Sequence, residues 1–152
     1  VTGYKVQKYR VRLVKDGAAR VVARPSIAGA SSAVEVFRAV LSGLPHEEVW
    51  LALTNARLDV TGLVRVSQGG LHGAALKPSD VLRPVLASGA SGFVMAHNHP
   101  SGDPAPSGDD LSMTRALLRA CAVVGVSCMD HLILTDSGDW QSLADSHTEL
   151  GW

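Results

Sequence analysis

The stretch GFVMAHNHPSGDPAPSGDD, residues 92–110, decides how the rest of the chain is read. It opens on an apolar run, Gly92 to His97, that is too short for a helix and reads as a buried strand. His97 and His99 follow at its end. In extended backbone that spacing sends both imidazoles to the same face. Pro100 ends the strand, and Ser-Gly-Asp-Pro-Ala-Pro after it cannot be helix interior. Pro104 and Pro106 stiffen this loop and lower the entropic cost of holding its far end still. That far end, Ser107-Gly-Asp-Asp110, is the first turn of a helix. Asp110 is thereby placed to reach back toward the two histidines.

Two imidazoles and one carboxylate leave a fourth position for water, the open arrangement of a catalytic rather than a structural zinc. Iron, manganese and nickel suit the same residue types. Each piece also has a plainer reading. Ser107-x-x-Asp110 is a capping-box-like pattern that needs no metal, and His-x-His can be a polar strand end. The joint spacing favours the metal. Asp109 can replace Asp110 on spacing alone. Asp103, in a Gly-Asp-Pro turn, is expected to be satisfied by its own loop.

Working outward, Ser107 to about Val124 has an apolar stripe of Leu111, Thr114, Leu117, Leu118, Cys121 and Val124, closed by Gly125. Val126–Met129 and Leu132–Leu134 read as strand around Asp130-His131, which can support a ligating histidine from behind, with a structural role the favoured expectation. Upstream, Ser31 or Ser32 is expected to cap a helix reaching about Ser42. Glu48–Leu53 and Val60–Ser67 read as strands. Ser79 is expected to cap a helix to about Ala87, bent by Pro84. Tyr9–Val14 and Arg20–Ala23, either side of the turn signal Lys15-Asp16-Gly17, read as a β-hairpin. The tail after Ser137-Gly-Asp139 reads as irregular. Trp50 and Trp140 are expected in the core and Trp152 in the tail. His46, His72 and His147 are expected at the surface. Strands mixed with three helices point to a single α/β or α+β domain.

The chain has 152 residues, 46% of them hydrophobic, enough for one core. No apolar run approaches the ~18 residues of a membrane span, and no charged-then-apolar leader opens the sequence. A cytoplasmic protein is the expectation. Cys121 and Cys128 do not make a disulfide framework and read as buried reduced thiols. The formal charge is zero, which disfavours a dedicated nucleic-acid binder, but residues 1–24 hold seven of the fourteen basic residues and one acid. Lys8, Arg10 and Arg12 of this basic extension are candidate contacts for an acidic partner or nucleic acid.

His97-x-His99, seven residues, Ser107, two residues and Asp110 match the motif of the JAMM (JAB1/MPN) metalloproteases. HNHPSGDP followed by Pro106-Ser-x-x-Asp110 resembles the RadC-like JAB branch more closely. Arg83-Pro84, Asp130-His131 and Ser142-Leu-Ala-Asp145 are similar to that branch too. The resemblance covers roughly residues 28–147 and places the domain at 25–152, after the basic extension at 1–24. It implies a curved β-sheet packed with helices, of cytidine-deaminase-like architecture. It implies one catalytic zinc on His97, His99 and Asp110, oxyanion stabilisation by Ser107, and a general-base glutamate upstream. His46-Glu47-Glu48-Val49-Trp50 offers two glutamates pointing to opposite faces of a strand. Pattern does not decide between them, and the resemblance selects Glu48. The implied activity is metal-dependent cleavage of a peptide or isopeptide bond, beside a ubiquitin-like protein in some relatives. A DNA-repair or recombination accessory role and a non-catalytic scaffold are the competing readings. RadC-like proteins carry a helix–hairpin–helix region ahead of the JAB domain. Around residues 77–80 the chain reads Lys-Pro-Ser-Asp where the branch often has His-Pro-Arg-Glu.

Overall fold

A computed structural model describes residues 5–20, 25–69 and 76–152. The elements are α1 (Ala30–Leu41), β1 (Glu48–Thr54), β2 (Val60–Gln68), α2 (Pro78–Ser88), β3 (Gly92–Asn98), α3 (Gly108–Val124), β4 (Ser127–Leu134), β5 (Trp140–Ser142) and α4 (Leu143–Ser146), with a 3-10 turn at Thr148–Leu150. The strands form one mixed five-stranded sheet in the order β2-β1-β3-β4-β5. β3 and β4 run parallel, and the other neighbours are antiparallel. The expected α/β domain is therefore present.

Central strands covered on both faces become apolar along their whole length, and all seven residues of β3 are buried. Alternate residues feed two cores. Val49, Leu51, Leu53, Phe93, Met95 and Ile133 pack with Val81 and Val85 of α2 and Leu117 and Cys121 of α3. Ala52, Val94, Ala96, Leu132 and Leu134 pack with Val34, Phe37 and Leu41 of α1. The sheet thus lies between α1 and the α2–α3 pair. Joining parallel β3 and β4 requires a crossover, and α3 is that crossover. Its first turn must begin near the carboxyl end of β3, where His97 and His99 stand. At the other end of β3, Gly92 allows a close approach, since a Cβ there would lie 2.9 Å from Ser127 O.

Several local expectations change. α1 is capped at Gly29, with Ser32 Oγ accepting from Ala28 N and Gly29 N. α2 starts at Pro78 after Lys77 and runs on through Pro84. β4 is continuous through Asp130 and His131. The tail carries β5, α4 and the 3-10 turn because β5 pairs with Leu132–Leu134. Trp140 is 37% exposed rather than core, since β5 is an edge strand. Trp50 is half-buried, and Trp152 lies in the exposed tail.

The expected N-terminal hairpin lies only partly within the described residues. Residues 5–20 carry no strand or helix. Val6, Tyr9, Val11 and Val14 are exposed, so this segment packs no apolar face, without which a two-stranded ribbon is marginal in water. Most of its expected second strand, Arg20–Ala23, lies outside the described residues, as does His72. Cys121 and Cys128 are buried free thiols, and burial pushes both above the ordinary thiol range.

Candidate metal centre

His97 shares parity on β3 with Phe93 and Met95, so its ring enters the layer beneath α3. His99 lies just past the strand, tied to the sheet by His99 N donating to Leu134 O at 2.8 Å. The expected convergence is present, with the two Nε2 atoms 2.9 Å apart. The loop then closes on itself. His99 Nδ1 lies 2.8 Å from Asp103 O, a carbonyl that can only accept. His99 therefore carries a proton on Nδ1 and turns Nε2 inward, as a lone pair toward an ion or, without one, as an N–H toward His97 Nε2 and Asp110. Asp103 Oδ1 accepts from Ala105 N, so this side chain is occupied in its own loop as expected.

Asp110, not the exposed Asp109, is the buried carboxylate of the group. It serves as cap and candidate ligand at once. Its Oδ2 accepts from Ser107 N at 2.7 Å, and Ser107 Oγ accepts from Asp110 N at 3.1 Å. That reciprocal cap sets the rotamer that brings Oδ1 to 3.3 Å from His97 Nε2 and Oδ2 to 3.6 Å from His99 Nε2. Four ligands at about 2.0–2.1 Å around a tetrahedral ion stand about 3.3 Å from one another. The 2.9 and 3.3 Å distances lie near that edge, and one atom from each of the three residues lies within 4.8 Å of the others, so the donor set can hold one small divalent ion. Among the described residues His97, His99 and Asp110 are the one group of this kind.

The electrostatics agree. Burial of Asp110 would raise its pKa, but His97, His99 and the Ser107 N–H together hold its carboxyl far below the usual range. Its hydrogen bond to Asp110 raises His99, against a smaller opposing effect of burial. The carboxylate is ionised and ready to ligate at any ordinary pH.

A second row of groups stands behind the candidate ligands. His131 Nε2 lies 2.8 Å from His97 Nδ1, and His131 Nδ1 lies 2.6 Å from Thr114 Oγ1. Thr114 Oγ1 donates in turn to Asp110 O at 2.7 Å. Burial, followed by the nearby His97, pushes His131 well below the usual histidine range, so it is neutral. Asp130 points elsewhere. Its Oδ1 accepts from His131 N and Ala144 N, and its Oδ2 accepts from Ser142 Oγ. The Asp130-His131 pair thus divides, with the acid anchoring the tail and the histidine touching a candidate ligand.

Of the two glutamates, the structure brings Glu47 rather than Glu48 beside the candidate ligands. Val49 pairs with His97 across β1 and β3, and cross-strand partners share a face. Glu47 has the parity of Val49, and its Oε1 comes within 4.0 Å of His99 Nε2. Glu48 turns to the opposite face. There it accepts from Trp50 Nε1 at 2.7 Å and pairs with His46 at 3.0 Å and Arg65 at 3.3 Å. Burial opposes ionisation of Glu48, but Trp50, His46 and Arg65 outweigh it and lower its pKa. The expectation that Glu48 reaches the centre fails on register. The identities of His97 and His99 carry the missing signal, since their shared parity meets Glu47 once β1 and β3 are aligned.

Among the remaining sequence candidates, His46 is bound into the Glu48 cluster and His147 pairs with Glu149 in the tail. Lys8, Arg10 and Arg12 are exposed. Thr114, which reads in the sequence as one member of an apolar stripe, is fully buried at the centre's back wall.

Comparison with known proteins points the same way. The family model described as the RadC-like JAB domain matches residues 27–148. A UPF0758 protein of Porphyromonas gingivalis is 32% identical over 122 residues, 80% of this chain and 54% of its own length. One from Alkaliphilus oremlandii is 35% identical over 86 residues, 57% of this chain and 37% of its own. One from Symbiobacterium thermophilum is 36% identical over 98 residues, 64% of this chain and 42% of its own. The chain spans about half or less of the length of these relatives.

Proposed function

The chain belongs to the RadC-like JAB domain family, and from that premise we propose that it is a zinc-dependent hydrolase of peptide or isopeptide bonds. The observation that carries the reading is the convergence of His97, His99 and Asp110 with a second carboxylate, Glu47, just outside the donor set. A structural metal site has no chemical use for that additional acid. A hydrolytic one needs a base beside an open position.

When bound, zinc supplies Lewis acidity toward a scissile carbonyl and toward water. The chain's own residues supply the rest. Glu47, half-buried and 4.0 Å from His99 Nε2, accepts the attacking water's proton and returns it to the leaving amine. Ser107 Oγ uses a lone pair for Asp110 N, which leaves its hydroxyl proton to donate to the developing oxyanion. The cap that orients Asp110 thereby also orients this donor. Glu48, bound to Trp50, His46 and Arg65, holds the strand end in place and takes no part in proton transfer.

The test is zinc reconstitution followed by turnover of a mixed peptide library and of ubiquitin-like isopeptide conjugates. Zinc-dependent cleavage that is lost in Glu47→Gln supports the reading. Zinc binding with no cleavage of either substrate class would favour the scaffold reading.

A further inference from the structure

The positions of protons behind His97 follow from one hydroxyl. Thr114 Oγ1 has a single hydrogen and stands 2.7 Å from Asp110 O, which can only accept. Turning that hydrogen elsewhere would set two lone-pair-bearing oxygens against each other at that distance. The hydrogen therefore points to Asp110 O. Thr114 Oγ1 must then accept from His131 Nδ1, 2.6 Å away. His131 is fully buried and neither ring nitrogen meets a carboxylate, since Asp130 is turned to Ser142 and Ala144, so a second proton would bury an uncompensated charge and Nε2 keeps its lone pair. His97 Nδ1, 2.8 Å from that atom, must be the donor. His97 is left with the Nε2 lone pair facing His99 and Asp110.

We propose that Thr114 and His131 are positioning residues that lock His97 into the tautomer able to bind the metal. Carboxylates and backbone carbonyls commonly fix a ligating histidine in this way, and Asp103 O does so for His99. For His97 a buried histidine takes that place, and a histidine can turn its proton pattern round. Its direction is set three groups away, by the helical carbonyl of Asp110. The same hydroxyl thus ties the backbone of the carboxylate ligand to the ring of the first histidine ligand. Both ends of the wire are buried, with Thr114 and His131 at 0% exposure and His97 at 1%, so water cannot substitute for a missing partner.

Replacing the hydroxyl by a methyl group shows what the lock does. In Thr114→Val, His131 has no acceptor for an Nδ1 proton and moves it to Nε2. His97 Nδ1 must then accept, which puts the His97 proton on Nε2, facing the centre. Metal can bind only by turning both rings back, against an unpartnered buried N–H.

The inference rests on the metal reading, and the experiment separates the two. Long-range proton–nitrogen NMR of the histidine rings gives the tautomer of His131, and competition with a chromophoric chelator gives zinc affinity. In wild-type protein His131 carries its proton on Nδ1 with and without zinc. Thr114→Val moves it to Nε2 in the metal-free protein and weakens zinc by about 10–100-fold, the usual worth of such a partner. Thr114→Ser restores both. An Nε2-protonated His131 in wild type overturns the proposal even if the valine variant does not fold. So does a valine variant with wild-type tautomer and zinc affinity. Wild-type protein that binds no zinc while His131 shows the Nδ1 proton would instead remove the metal reading and leave the proton wire standing.

Discussion

At the scale of single residues, neighbours in sequence do unrelated jobs. Glu47 and Glu48 differ by one position and lie on opposite faces of β1. Glu47→Gln should leave the folded protein and its zinc intact while lowering kcat about 10²–10⁴-fold, the usual worth of a general base. Glu48→Gln should do the reverse. It sets an amide N–H₂ against the Trp50 and Arg65 donors and should cost about 1–3 kcal/mol of stability with little change in turnover. Parallel assays of unfolding, metal content and cleavage distinguish the pair. Equal turnover in Glu47→Gln and wild type would remove the base assignment. The candidate ligands were legible in the sequence because every relation among them is local: alternation along a strand end, a proline-stiffened loop, a capped helix start. Which glutamate faces them was not legible. That depends on the Val49–His97 pairing, between positions far apart in the chain.

At the scale of elements, the helix and strand cores were readable from periodicity and from glycine and proline punctuation. The tail was not, because its structure comes from a long-range partner. Asp130 in β4 holds α4 by accepting from Ala144 N while also binding Ser142 Oγ. Asp130→Ala would strand the His131 and Ala144 N–H groups and should cost about 2–4 kcal/mol. Asp130→Asn keeps one acceptor oxygen and should cost no more than about 1.5 kcal/mol. Chemical denaturation measures both. Burial holds the Asp130 carboxyl above its ordinary value, against the opposing bonds from Ser142, Ala144 and His131. A carboxyl raised in this way binds its proton more tightly folded than unfolded. Its contribution is fully present below the unfolded value and is lost as pH rises toward the folded one. The stability of wild type relative to Asp130→Asn should therefore fall as pH rises from about 3. A difference that stays flat, or rises, contradicts the assignment.

At the scale of the whole molecule, one sheet between two helical layers brings the end of β3, the start of α3 and the start of β1 to one place. None of the helices among the described residues is long and apolar enough to cross a membrane. The neutral total charge conceals an uneven distribution, with a basic, exposed segment at residues 5–20. For DNA we expect only weak, salt-sensitive and sequence-independent affinity, in the ~10⁻⁴–10⁻⁶ M range at physiological salt. Fluorescence anisotropy with unrelated duplexes checks this, alongside charge reversal at Arg10 and Arg12. Tight, sequence-selective binding would promote the DNA reading over hydrolysis. Elemental analysis of the purified chain after zinc reconstitution and desalting shows whether His97, His99 and Asp110 hold one ion. About one zinc per chain is expected, lost in His97→Ala and in His99→Ala while both variants remain folded. Wild-type protein that retains no metal, or alanine variants that retain as much as wild type, would contradict the metal reading.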